Sequence, residues 1–423
     1  MLNQNLKNIF SIFNQNQINY LVLRNYFPIE ELNHSADIDL FIMPKDFYQA
    51  RKLLKKLGWQ KRLIPRNDFG HEEWFKFDKM ENKIFHLDLQ NYLKVFSQYL
   101  RKKQLAMIFY SAIKLDNTFF VPSSTVALIL LLSRVTFEKE KIEPKNLISL
   151  KNLWPQVKLV KNYQNEIKEI FGEQASLAVS KLNDSKIIDY NFYQNLKINF
   201  SNNFKFKEFF LGYYQKMKLI FYKILMIFRP IKLIVFLGVD GSGKSTLISY
   251  LAEFSPIFRA KLYLGWNNYF FPFLEKLDKP KKNKLAAKIS FFLFHLILPF
   301  DYFGRYLKAK ITAKYGFLVA DRYPLPKRES DQNNLSGRFR AFSLLLTYLL
   351  LPGPNILFIL GGDPNLIWQR KKEGSYDKFL AEYQRCLEAA KIFSCEKTII
   401  DTTKTFDQTF NQINSFLFSV FGI

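Results

Sequence analysis

The sequence predicts an α/β protein in three parts: an N-terminal α+β domain (1–120), a helical connector (121–229) and a C-terminal, doubly wound parallel sheet of five strands (230–423). Three observations carry this. After Pro230, short apolar runs alternate regularly with helical segments, as strands buried on both faces of a parallel sheet do. Between about Thr125 and Lys223 strand signals vanish, and Leu, Ile and Phe recur at helical spacing. Before Leu115 short β-like runs are interrupted by a helical stretch. The length of 423 residues agrees, since a domain commonly takes ~150 residues.

The N-terminal strands are expected at Tyr20 to Leu23, Ile38 to Ile42 and Ile84 to Leu89, with a helix over Phe47 to Leu57. The connector begins at Pro122-Ser-Ser-Thr, whose hydroxyls suit a helix start. The C-terminal strands are expected at Lys232 to Leu237, Ala260 to Leu264, Phe317 to Ala320, Ile356 to Leu360 and Thr398 to Asp401. A basic, aromatic stretch from Tyr213 to Arg229 carries Lys216, Lys218, Lys223 and Arg229 and reads as an amphipathic helix; packing between domains is favoured for it, and peripheral membrane contact is the alternative.

Nearly half the residues are apolar, with 45 Phe and 22 Tyr, so cores rather than long disorder are expected. The apolar runs Val126 to Leu132, Phe291 to Leu298 and Leu344 to Leu351 fall short of the ~20 residues of a membrane span. The start Met1-Leu-Asn-Gln-Asn lacks a signal-peptide pattern, so a cytoplasmic location is expected. Cys386 and Cys395 have no CxxC spacing and no histidine nearby, which argues against a disulfide framework or a zinc site. The net charge of +25 comes without a long Lys/Arg block. It is read mainly as lysines on solvated faces, with attraction for small anions and no specific nucleic-acid binding.

Gly238-Val-Asp-Gly-Ser-Gly-Lys-Ser245 fits G-x-x-x-x-G-K-[ST] and stands between a strand and the helix Thr246 to Leu251, the context its mechanism requires. Gly238, Gly241 and Gly243 let the backbone approach phosphates, so that successive N–H groups and the helix N-terminus hold the anion. Lys244 would reach the β/γ-phosphates and Ser245 would offer its hydroxyl to Mg²⁺; Asp240, Ser242 and Thr246 complete the cofactor-binding segment. Phe317-Leu-Val-Ala-Asp-Arg-Tyr323 ends a buried strand in Asp321, placed to orient Mg²⁺ through water, and Arg322, placed to grip an acceptor or its developing charge. Gln369-Arg-Lys-Lys-Glu-Gly-Ser-Tyr376 offers a cationic lid, with Arg370 as its leading cation.

Together with the Asp363-Pro364 turn and Ile400-Asp-Thr402, these segments resemble thymidylate kinases over roughly 231–423. The resemblance implies a five-stranded P-loop core, ATP and Mg²⁺ as cofactors, an acceptor contact for Asp240 and a catalytic cation supplied from the lid at Arg370. Two departures point to another acceptor: Leu264-Gly-Trp-Asn-Asn268 replaces the family's arginine-containing acceptor loop, and Pro324-Leu-Pro326 follows Asp321-Arg-Tyr323. The long insert between them, Asn267 to Lys314, would shape that acceptor's site.

Ala36-Asp-Ile-Asp-Leu40 puts Asp37 and Asp39 on one face of a strand, where two carboxylates repel unless a cation holds them. With Asp88 in Ile84-Phe-His-Leu-Asp-Leu89, they resemble the metal triad of the nucleotidyltransferase superfamily, in which two Mg²⁺ ions bind a nucleoside triphosphate. Arg24-Asn25 departs from that family's Gly-Ser turn. The favoured reading is a small-molecule kinase acting on a sugar, glycan or nucleotide, with a nucleotidyltransferase-like domain, of a kind associated by resemblance with bacterial surface-polysaccharide gene clusters. The alternatives are a genuine thymidylate kinase with an extra domain and a nucleotide-binding scaffold without turnover.

Overall fold

Strand and helix positions follow from where each segment can bury apolar side chains. The computed structural model describes residues 3–23, 37–64, 70–79, 83–96, 98–137, 144–182, 190–201, 206–265, 268–326, 335–372 and 375–422. Arg24, Asn25, Ala36, Trp266, Asn267 and Glu373, invoked above, lie outside the described residues. The chain divides into two compact units, one of 1–61, 65–76 and 85–219, the other of 62–64, 77–84 and 220–423. Residues 121–219, expected as a connector, group with the first unit.

In the first unit, α1 (Gln4–Gln15) buries Leu6, Ile9, Phe10 and Phe13 at helical spacing, and the Asn3 side chain accepts from Asn5 N at 2.8 Å to cap its start. The strands are β1 (Tyr20–Val22), β2 (Asp37–Ile42), β3 (Gln60–Lys61), β4 (His71–Asp78) and β5 (Lys83–Gln90), and α2 (Phe47–Lys56) lies between β2 and β3. They form one mixed sheet in the order β1-β2-β5-β4-β3, with β1 antiparallel and β5 parallel to β2. Neither α1 nor β4 was anticipated from the sequence. Short pairs β6 (Lys94–Val95) with β7 (Gln98–Tyr99) and β8 (Ile113–Leu115) with β9 (Phe119–Val121) flank α3 (Lys102–Tyr110). The helices α4 (Ser124–Phe137), α5 (Pro144–Leu159), α6 (Tyr163–Phe171), α7 (Glu173–Ser180) and α8 (Tyr190–Ser201) follow, and Leu128, Leu150, Trp154 and Ile167 centre their core. The helical reading of this stretch therefore holds.

The unit boundary falls inside α9 (Phe206–Phe228). On this helix Met217, Ile220, Phe221, Ile224 and Phe228 are exposed.

The second unit is built on β10 (Lys232–Leu237), followed in sequence by α10 (Lys244–Phe254), β11 (Lys261–Tyr263), α11 (Phe273–Asp278) and α12 (Lys284–Thr312). Then come β12 (Phe317–Asp321), α13 (Leu335–Leu350), β13 (Ile356–Gly361), α14 (Pro364–Arg370), α15 (Tyr376–Ile392), β14 (Glu396–Asp401) and α16 (Phe406–Phe421). The five strands are all parallel and ordered β11-β12-β10-β13-β14. Connections after β10 run first to one side of it and later to the other, so the sheet reverses direction beside β10, and a crevice opens there at the strands' C-terminal ends. The expected strands agree to within about two residues, and three of the five, β10, β12 and β13, are continuous buried apolar runs bounded by turns.

One expectation changes. The apolar run Phe291 to Leu298 sits in a 29-residue helix, α12, which is long and apolar enough to cross a membrane by length and composition. Its inner face nonetheless packs Phe294, Leu298, Tyr302 and Tyr306 into the second unit's core.

Candidate functional site

The loop between β10 and α10 owes its shape to glycine. Gly241 and Gly243 stand at φ +87° and +85°, the left-handed region that side-chain-bearing residues rarely adopt. A Cβ on Gly238 would lie 2.6 Å from Ser242 Oγ and 3.0 Å from Leu360 Cβ, so the loop closes onto the sheet only without one. Ser242 Oγ is itself buried and has no hydrogen-bond partner among the described residues. The helix α10 begins at Lys244, two residues earlier than expected, so its unsatisfied N–H groups face this loop.

Lys244 is buried, and its ammonium donates to Gly238 O at 2.9 Å and Val239 O at 2.8 Å. Burial first, and then Arg322, lower its pKa; Asp240 and Asp321 act the other way. A phosphate anion in the loop would offset both lowering effects. Ser245 Oγ donates to Asp321 Oδ2 at 3.2 Å across the start of α10 and the end of β12. The other oxygen, Oδ1, is shielded from solvent and has no hydrogen-bond partner among the described residues.

Arg322, next in the chain, is a non-glycine residue at φ +73°, a strained conformation of the kind that gathers at functional sites. Its N–H is held by Phe236 O at 3.0 Å, and its guanidinium pairs with the Asp240 carboxylate. Asp240 Oδ1 also lies 3.9 Å from Lys244 Nζ. Thus Gly238, Asp240, Gly241, Ser242, Gly243, Lys244, Ser245, Asp321 and Arg322 converge at the crevice. Thr246 is exposed on the first turn of α10. Arg370, at the end of α14, donates to Thr402 O at 2.7 Å just beyond β14, whereas Lys371 comes against the loop, its Cβ 3.2 Å from where a Gly241 Cβ would stand.

A cavity of about 260 Å³ opens beside Gly238 and Arg322. Leu264, Leu298, Pro324 and Leu344 supply apolar wall, and Arg322, Arg340, Arg385, Glu382 and His295 supply charge and polarity. Cys386 also lines it, with its thiol pKa pushed up to about 11 by burial, which keeps the thiolate fraction small at neutral pH. The insert between β11 and β12 contributes one wall of this cavity, through His295, Leu298 and Tyr302 of α12.

Sequence reasoning missed what fixes that wall. On α12, Asp301 and Arg305 are both buried and paired, Arg305 Nε donating to Asp301 Oδ2 at 2.6 Å. Asp301 Oδ1 accepts from Phe271 N at 2.8 Å, Arg305 Nη1 donates to Gly265 O at 2.8 Å, and the guanidinium lies over the rings of Tyr269 and Tyr302. The pair therefore holds both ends of the segment after β11 against the helix. An Asp and an Arg four apart on an otherwise apolar helix was the available signal.

In the first unit, Asp39 and Asp88 are Cα partners on the parallel strands β2 and β5, and both are buried. Asp37 pairs in register with His86, but its side chain lies outside the described residues. His71, also not anticipated, brings Nδ1 to 3.4 Å from Asp88 Oδ1. Among the described residues no group of three or more His, Cys, Asp and Glu side chains is arranged to hold a metal.

No protein-family model matches this chain, and no curated protein matches it.

Proposed function

We propose that the second unit is an ATP- and Mg²⁺-dependent small-molecule kinase that transfers a γ-phosphoryl group to a hydroxylated or anionic acceptor bound in the cavity beside Arg322. The observation that carries this reading is the 3.2 Å contact of Ser245 Oγ with Asp321 Oδ2 at the head of the glycine loop. A hydroxyl and a carboxylate, the latter with a second oxygen unengaged by hydrogen bonds, are the hard ligands that suit Mg²⁺ alongside phosphate oxygens and water. Bound there, the ion would supply charge neutralisation for the transferring phosphoryl group. The left-handed glycines and the N-terminus of α10 cradle the triphosphate. Lys244 supplies a cation at the loop mouth, Asp240 holds Arg322 toward the crevice, and Arg370 or Lys371 closes from the lid.

The acceptor side favours a sugar, glycan or sugar phosphate over thymidylate. Pro324, Leu325 and Pro326 line the cavity and present little side-chain polarity, whereas Arg340, Arg385 and Glu382 offer both signs of charge. Measuring ATP consumption across nucleoside monophosphates, sugars and sugar phosphates tests this. Thymidylate is expected to be a poor substrate, since a site lacking the polar partners of its ligand commonly loses ~10²-fold or more in discrimination. Thymidylate turnover with kcat/KM on the order of 10⁵ M⁻¹s⁻¹ or above would instead make the chain a thymidylate kinase with an additional domain.

For the first unit we propose divalent-metal binding between β2 and β5, because Asp39 and Asp88, two buried carboxylates aligned in register on neighbouring strands, bring hard oxygen ligands close together. With that metal the unit would have the nucleotidyltransferase character that its Asp37, Asp39 and Asp88 resemble, transferring a nucleotidyl group from a nucleoside triphosphate to the phosphate that the second unit makes, with release of pyrophosphate. Calorimetry of the full chain with Mn²⁺ is expected to give heats that Asp39→Asn and Asp88→Asn abolish. Equal heats for wild type and both variants would leave these aspartates as structural residues.

A further inference from the structure

We infer that the helix pair α12–α13 docks on the surface of an anionic lipid bilayer. The two helices pack side by side: Phe292 meets Phe339 with ring centroids 4.9 Å apart, and Ser343 Oγ donates to His295 O. Their inner faces enter the core and wall the cavity. Their outer faces do the opposite of what a solvated helix does. On α12 the exposed large apolar residues are Leu285, Ile289, Leu293, Leu296 and Phe300, 43–66% accessible, at the spacing of a single helical stripe. On α13 they are Leu335, Phe342, Leu345 and Leu349, 52–75% accessible and again one stripe. At 1.5 Å per residue the first stripe alone runs about 22 Å, far beyond the scattered apolar residues of an ordinary surface.

Charge identifies the partner. Neither Lys284 to Phe300 nor Leu335 to Leu350 contains an Asp or Glu. At the start of α12 the exposed Lys282, Lys284 and Lys288 form no ion pair among the described residues, and Arg338 is exposed at the start of α13. An apolar stripe with cations and no carboxylates fits acidic headgroups above acyl chains, where the stripe sinks to the boundary and the lysines stay among the phosphates. A protein partner would need acidic residues arranged over two helices, whereas an anionic membrane supplies that charge without any fixed arrangement. The helix lies along the membrane instead of crossing it: its other face is packed on the sheet, and the Asp301–Arg305 pair is buried in protein. This inference concerns an outer surface and stands whether or not the cavity binds a kinase acceptor.

The test is co-sedimentation of the full chain with vesicles of phosphatidylglycerol and phosphatidylcholine, against phosphatidylcholine alone. Binding to the anionic vesicles only, weakened by salt, is expected. Leu293→Glu/Leu296→Glu, with unchanged circular dichroism, should reduce bound protein about tenfold or more, and Lys282→Glu/Lys284→Glu should do likewise through charge. As a readout that needs no disruptive change, Leu293→Trp fluorescence should be quenched by brominated lipid. Failure to bind anionic vesicles, unquenched Leu293→Trp, or undiminished binding by the Leu293/Leu296 variant would overturn the inference. So would light scattering that shows a dimer in solution which that variant separates, since the stripe would then be covered by a second copy of the chain.

Discussion

Lys244→Ala is expected to lower ATP turnover by about three orders of magnitude or more while leaving the second unit folded. Among the described residues Lys244 is the only ammonium bonded into the glycine loop, held there by the carbonyls of Gly238 and Val239. Those carbonyls sit at the crevice and regain water or the ligand when the lysine is removed, so the loss should fall on transferring charge and not on packing. The measurement is single-turnover phosphoryl transfer with the best acceptor, together with circular dichroism and nucleotide binding. Near-normal turnover by a folded variant would remove the kinase assignment. Retained nucleotide binding with no turnover in the wild type, for any acceptor class, would favour a scaffold that binds nucleotide without chemistry.

The second large effect concerns stability. Asp301→Ala should destabilise the second unit by about 3–5 kcal/mol, because it strands Arg305 as a charge in a buried site and leaves Phe271 N without its acceptor. Removing both partners together is a different experiment. Asp301→Leu/Arg305→Met exchanges the pair for apolar volume and should cost much less than either single change, as buried ion pairs often can be replaced but seldom halved. Urea unfolding followed on the second unit's transition would compare the three. A single-variant cost below about 1 kcal/mol would mean that water reaches Arg305 and that the pair does not anchor the segment after β11.

The glycine loop was readable because its requirements are local. Left-handed conformations at Gly241 and Gly243 and the start of α10 at Lys244 are encoded within a few residues, so the motif names its own geometry. Asp321 was readable for a similar reason, as the polar end of a buried strand. Arg370 was harder. Its cationic neighbourhood was plain, but a contact with Thr402 O, across 32 residues of chain, has no local signature. The first unit shows the same limit: three strands, β1, β2 and β5, signalled themselves by apolar runs, yet β4, with its mixed pattern of half-buried residues, did not.

By itself the sequence determined the order and kind of the elements in the second unit, the glycine loop and its carboxylate partner, because periodicity and backbone conformation are properties of short stretches. Tertiary structure alone decided the rest. Parallel register set Asp39 against Asp88. Crossover through the sheet joined Asp240 to Arg322 over a separation of 82 residues, with Arg322 in a conformation its own side chain disfavours. And α12, apolar nearly all round in sequence, became two surfaces: an inner face that walls a cavity and an outer stripe left uncovered, a distinction that exists only once the sheet occupies one side of the helix.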